Sequence, residues 1–328
     1  MYYFINYLRA IATVLITNSH YAEIWPIADM AAGGLLGNIL FFAASGFCLF
    51  NVKENFPKWY LKRILRIYPV MIFFTMLTVV IRDGAFPKQA DFFAVFAIPT
   101  TYIFLKWLML LYVAFYPVAW LSKCFHRATE IVFLGVALAW VAIYILFVDK
   151  SVYCVDDVSQ PFILFLYFLS MLAGALFKKH IGGFKALKKR NVILLFASLV
   201  IYLFSKISFL EIEEIAFLQI LNQVSILAVL YFMFAVFIGL EETLKKAPTW
   251  LNKTVGFIAS ITLHIYIVQF VVIRRLRGLI FPLNFAVTTA TILALAAVLY
   301  FAEYFVRKGI LRLIDKTKRI NKNGEGSH

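Results

Sequence analysis

Ten long apolar stretches dominate the chain, at residues 4–22, 33–52, 67–82, 100–121, 129–148, 160–177, 192–209, 216–240, 255–273 and 284–306. Crossing about 30 Å of hydrocarbon at 1.5 Å per residue takes roughly 20 mostly apolar residues. Most stretches approach that length, and tilt absorbs the short third and the long eighth. Only 15% of the 328 residues are charged and 63% are hydrophobic, whereas a soluble domain carries about a quarter charged residues. A soluble globular domain, a disordered chain and a disulfide scaffold are therefore excluded. So is an outer-membrane barrel, whose strands alternate apolar and polar positions instead of forming unbroken apolar blocks. The expected fold is an all-α polytopic membrane protein, a bundle of about ten transmembrane helices. It comprises a membrane domain over 1–313 and a basic tail over 314–328. The closing Gly-Glu-Gly-Ser-His at 324–328 is read as an expression remnant, and no cleavable signal peptide is expected at the start.

The net charge of +15, from 32 basic and 17 acidic residues, would suggest nucleic acid on a soluble protein. Here its distribution indicates orientation, and no nucleic-acid partner is expected. Lys53, Lys58, Lys62, Arg63 and Arg66 follow the second stretch against the single acid Glu54. Lys123 and Arg127 follow the fourth, Lys178, Lys179, Lys185, Lys188, Lys189 and Arg190 the sixth, and seven Lys and Arg the tenth. The alternate loops carry Asp149, Asp156 and Asp157, then Glu211, Glu213 and Glu214. An excess of Lys and Arg marks cytoplasmic loops, so both termini are expected in the cytoplasm of a cell with this protein in its inner membrane. Arg274, Arg275 and Arg277 dissent, falling on the expected outer side. Cys48, Cys124 and Cys154 form no spaced pair, and no metal site is expected.

Ionisable side chains inside a bilayer are costly and mark candidate sites. The first stretch holds Arg9 and His20. Eleven residues is about 1100° of helix, near a whole number of turns, so the two share a face roughly 16 Å apart. Taken singly, Arg9 also reads as a snorkelling cation and His20 as a packing residue; as an aligned pair they point into the bundle together. In the second stretch, Gly46 either permits close helix packing or lets a ligand approach the backbone, with Ser45 supplying a hydroxyl. Arg63 and Arg66, three apart, form a two-pronged cationic surface suited to phosphate or to lipid headgroups. The ninth stretch carries Ser260, His264, Tyr266 and Gln269. Glu23 reads equally as a partner orienting His20 and as a solvated loop acid.

Arg9 with ten residues before His20, the Phe41-Phe42…Ser45-Gly46-Phe47 run and the Arg63…Arg66-Ile67-Tyr68-Pro69 segment together resemble the acyltransferase-3 family of integral-membrane O-acyltransferases. The segment Asn18-Ser19-His20-Tyr21 followed by Gly33-Gly34 is most similar to bacterial members that acetylate polysaccharides. The resemblance implies transfer of an acetyl or other short acyl group from cytoplasmic acyl-CoA, with acetyl-CoA as donor, to a hydroxyl of an envelope or surface glycan. With that donor, the helix geometry puts His20 in reach as general base, with Glu23 either orienting it or solvated, and Arg9, Ser45, Gly46, Arg63 and Arg66 around the donor. The chain departs from many relatives in having Tyr266-Ile267-Val268-Gln269 where they end in Tyr-Leu-x-His, so proton transfer is not assigned to Gln269. A transporter or flippase for a sugar or anionic solute is the rival expectation, since buried Arg and His also build solute sites and proton relays. A non-enzymatic assembly protein would tolerate loss of His20.

Overall fold

The computed structural model describes residues 2–83, 102–184 and 186–324. Residues 100–101 of the fourth expected span, Lys185 and the last four residues lie outside the described residues. The described chain is helical. In order come α1 (Tyr3–Ser19), α2 (Gly34–Leu49), α3 (Phe56–Asp83), α4 (Ile103–Cys124), α5 (Ala128–Phe147) and α6 (Ile163–Lys179). They are followed by α7 (Lys189–Glu211), α8 (Ile220–Gly239), the short α9 (Glu241–Lys245), α10 (Thr249–Ser260), α11 (Thr262–Leu276) and α12 (Leu283–Gly324).

Six of these segments are long and apolar enough to cross a membrane: Ala28–Leu49, Ile103–Cys124, Ala128–Phe147, Lys189–Glu211, Ile220–Gly239 and Leu283–Phe305. The bent pair α10–α11 makes a seventh if it is one span. The expected count of about ten is therefore not established. α1 and α6 are 17 residues each, short of the roughly 20 that cross hydrocarbon. Two boundaries also change. The basic segment expected as a loop before residue 67 is already helical, because α3 begins at Phe56 and runs through Pro69. The stretch 255–273 is broken, with α10 and α11 meeting at 67°. There Ser260 Oγ donates to Phe257 O at 2.7 Å and Thr262 Oγ1 to Ala259 O at 3.1 Å. Hydroxyls that bond back to the preceding turn compete with the helical ladder and favour such a break. The expected tail continues as helix to Gly324.

α1 is the central element. It packs on α2, α10 and α11, while α2 packs along α6, α6 against α5, α7 against α8, and α11 against α12. Phe4, Ile5, Leu8, Ala12 and Ile16 form its buried stripe. Glu241 in α9 receives the backbone N–H groups of Tyr3 and Phe4 at 3.1 and 2.8 Å; a carboxylate there satisfies orphan donors at the positive end of the helix. At the other end Asn284 Nδ2 donates to Ile24 O at 2.8 Å. α5 and α7 expose apolar side chains such as Leu134, Leu138, Phe196 and Phe204. In lipid such faces have no reason to be buried, so helix association rests on close packing and hydrogen bonds.

Close packing is most evident between α2 and α6. A Cβ on Gly46 would stand 1.9 Å from Met171 O, and one on Gly174 would stand 1.9 Å from Ala43 O. Each glycine lets the other helix's backbone approach to contact. Gly33, with φ +97°, turns the chain into α2; that left-handed conformation costs an L residue energy that glycine avoids.

Candidate active site

On α1, the positions four, seven and eight residues after Arg9 are Thr13, Ile16 and Thr17, one stripe of a 3.6-residue helix. All four line a cavity of about 640 Å³ enclosed by α1, α2, α3, α4, the α10–α11 break and α12. Ser45 from α2 and Arg63 and Arg66 from α3 line the same cavity. Four of the five residues assigned to the donor from sequence are thus brought together. The fifth, Gly46, is not among the lining residues; the structure places it in the α2–α6 contact, so its small size serves helix packing.

The cavity is strongly cationic. Arg9, Lys62, Arg63 and Arg66 line it against the single carboxylate Glu303. Lys62 is hydrogen-bonded to Glu54 in the α2–α3 loop, and that bond holds the Glu54 carboxyl below the usual carboxylate range. Arg63 is fixed from two sides: its Nη1 donates to Trp59 O at 2.7 Å and its guanidinium lies 4.2 Å from the Trp59 ring centroid. The side chains of Arg9 and Arg66 have no hydrogen bond or ion pair among the described residues, and both line this one cavity. Like charges gathered around a cleft attract an anion.

α1 and α11 run side by side in the same direction. Thr13 Oγ1 and Thr262 Oγ1 are 2.9 Å apart, and seven and eight residues further on the rings of His20 and Phe270 meet with centroids 4.7 Å apart. The cavity ends just before that second contact, at Thr17 on α1 and Gln269 on α11. His20 does not line it. It belongs to a second hollow of about 330 Å³ with Ser19, Glu23, Phe270, Arg274 and Arg277. The expectation of one face carrying both Arg9 and His20 along a common passage is thereby corrected. α1 ends at Ser19, and the His20 N–H bonds to Thr17 O, three residues back, at 3.1 Å. That tightened last turn departs from the 3.6-residue period on which the alignment rested. Glu23 does not orient the imidazole among the described residues; its Oε2 accepts from Arg277 Nη1 at 2.7 Å.

The structure adds a pair that the sequence reading did not assemble. His264 Nε2 and Glu303 Oε2 are 3.0 Å apart, both residues line the main cavity, and His264 Nδ1 is buried without a partner. An imidazole held by a carboxylate on one nitrogen presents the other for proton transfer. His264 was visible as a buried titratable group, but Glu303 lies 39 residues on in the last apolar stretch and nothing in the sequence joins them. No three His, Cys, Asp or Glu among the described residues gather as metal ligands.

No curated protein and no solved structure matches the chain. A family model does, the one described as an acyltransferase domain, over residues 2–304. The match takes in every residue that lines either hollow, and the chain belongs to the acyltransferase-3 family of membrane acyltransferases.

Proposed function

We propose that the protein is an acyl-CoA-dependent O-acyltransferase of the inner membrane that moves an acetyl or other short acyl group to a hydroxyl of an envelope or surface glycan. The observation that carries this reading is the convergence of Arg9, Ser45, Arg63 and Arg66 on one cavity. Coenzyme A joins a phosphate-bearing head to a long thin arm ending in the thioester. Guanidinium forks at the Arg63–Arg66 end hold phosphate oxygens through paired, charge-assisted hydrogen bonds. The arm then passes Ser45 and the Thr13–Thr262 rung and carries the thioester toward Gln269. The glycan enters the second hollow, where Arg274 and Arg277 favour an anionic saccharide.

Phe270 separates the two hollows, and transfer takes place as the thioester passes its ring. Neutral His20 accepts the proton of the attacking hydroxyl as the C–O bond forms at the thioester carbonyl. Collapse of the tetrahedral adduct breaks the C–S bond, and the imidazolium returns the proton to the departing thiolate. A positioned histidine typically contributes about 10²- to 10⁴-fold to such a step. A second reading is favoured by the His264–Glu303 pair, which shares the cavity of the arginines as His20 does not: His264 is then the base, and transfer occurs inside that cavity.

The test uses purified protein in lipid nanodiscs with radiolabelled acetyl-CoA and an envelope glycolipid fraction. The parent moves label to glycan, and His20→Ala still binds acetyl-CoA but transfers at least about 100-fold more slowly. Loss of transfer in His264→Ala with His20→Ala active selects the second reading. Accumulation of a sugar or anion in proteoliposomes without consumption of acetyl-CoA overturns both.

A further inference from the structure

Gln269 is wholly buried at the inner end of the cavity, on its lining, and neither Nε2 nor Oε1 has a hydrogen-bond partner. Leaving both ends of a side-chain amide unpaired away from water is costly, since each group forfeits its hydration. Its neighbours on α11 each keep a partner: Thr262 bonds to Thr13, and His264 holds Glu303 through Nε2, leaving only Nδ1 unpaired. The two orphan groups, one donor and one acceptor on a single plane, are the complement of a secondary amide, which presents one N–H and one C=O.

Depth identifies which amide. Thr13 and Thr262 lie at one level, Arg9 is four residues below it on α1, and Gln269 is seven residues above it on the parallel α11. At 1.5 Å per residue the levels of Arg9 and Gln269 are about 16 Å apart. With phosphates at the arginines, the group reaching Gln269 is the far part of the arm. The pantetheine arm of coenzyme A carries two secondary amides, the second a short step from the sulfur. We infer that Gln269 is a positioning residue that pairs with the amide next to the thioester and so sets how far the acyl group extends toward Phe270 and His20. This rests on the proposed use of acyl-CoA.

The experiment compares binding of coenzyme A with that of adenosine 3′,5′-bisphosphate, which keeps a phosphorylated nucleoside but has no arm. Calorimetry on the full chain in nanodiscs is run for the parent, Gln269→Met and Gln269→Leu. Both variants remove the polar atoms, and Gln269→Met nearly preserves length. The expected result is a loss of about tenfold to a hundredfold in affinity for coenzyme A with affinity for the bisphosphate unchanged. The ligand-free variants should melt no lower than the parent, because an unpaired amide has been replaced by an apolar group. Unchanged affinity for coenzyme A, or an equal loss for both ligands, overturns the inference while leaving acyl-CoA as donor. A parent that binds neither ligand overturns the donor reading, and the inference with it.

Discussion

Arg63 is held on the Trp59 ring and carbonyl, whereas Arg66, one turn on along the same helix, is exposed and unpaired among the described residues. This contrast suits a phosphate site in which one guanidinium is pre-positioned and the other closes on the anion. Replacing both by alanine is expected to weaken acetyl-CoA binding by at least about a hundredfold, the loss of two hydrogen bonds to charged groups. Because charges near water are screened over about 10 Å at 0.1 M salt, the parent should lose affinity as salt rises and the double variant much less. Titrations at two salt concentrations read both effects; parallel salt slopes would remove the arginines from the phosphate site. At this scale the sequence was informative where chemistry is stated by residue type, so that four cavity-lining residues were found before any coordinates. It put His20 on one passage with Arg9 and Glu23 beside the imidazole, where the structure differs because both lie past the end of α1. There a local bond, of His20 N–H to Thr17 O, departs from the helical period, and a long-range bond from Arg277 takes up the Glu23 carboxylate. Gln269, by contrast, has no proton-transfer role in the sequence reading because it stands where many relatives carry histidine, and its unpartnered burial is visible only in the fold.

α2 and α6 meet backbone to backbone, with Gly46 and Gly174 each facing a carbonyl of the other helix. Gly46→Ala forces the two helices apart and is expected to cost about 1–3 kcal/mol, read as a lower thermal midpoint in detergent. Were Gly46 instead a point of ligand approach, its alanine variant would keep the midpoint and lose donor affinity. Glycine in an apolar run allows either role, so composition alone left the choice open; the partner helix, more than a hundred residues away, decides it. The break between α10 and α11 was hidden for a similar reason. Residues 255–273 are apolar enough to be read as one span despite His264 and Gln269, and the hydroxyls of Ser260 and Thr262 register only as mild polarity. Their bonds to the preceding turn turn α11 so that Thr262, His264 and Gln269 face the cavity. Ser260→Ala with Thr262→Val is expected to straighten the segment and lower donor affinity several-fold, as read by calorimetry.

For the whole molecule, the two hollows define a direction, with the arginines at one end of α1 and His20 at the other. The three free cysteines report it. Cys48 ends α2 beside Arg9, Cys124 ends α4, and Cys154 sits in the loop between α5 and α6. If the Lys- and Arg-rich ends face the cytoplasm, a membrane-impermeant maleimide added to spheroplasts labels Cys154, and Cys48 and Cys124 react only in inverted vesicles. The opposite pattern would turn the arginine cavity to the outside, where acyl-CoA is not supplied, and so would contradict its proposed role as the donor site. Cys48 also provides the most direct measurement, because it is exposed on the lining of the arginine cavity. In protein carrying Cys124→Ser and Cys154→Ser, acetyl-CoA is predicted to slow alkylation of Cys48 in a saturable manner, and Arg63→Ala with Arg66→Ala to abolish that protection at the same donor concentration. A Cys48 that reacts equally fast at every concentration of acetyl-CoA would contradict the assignment of this cavity to the acyl donor.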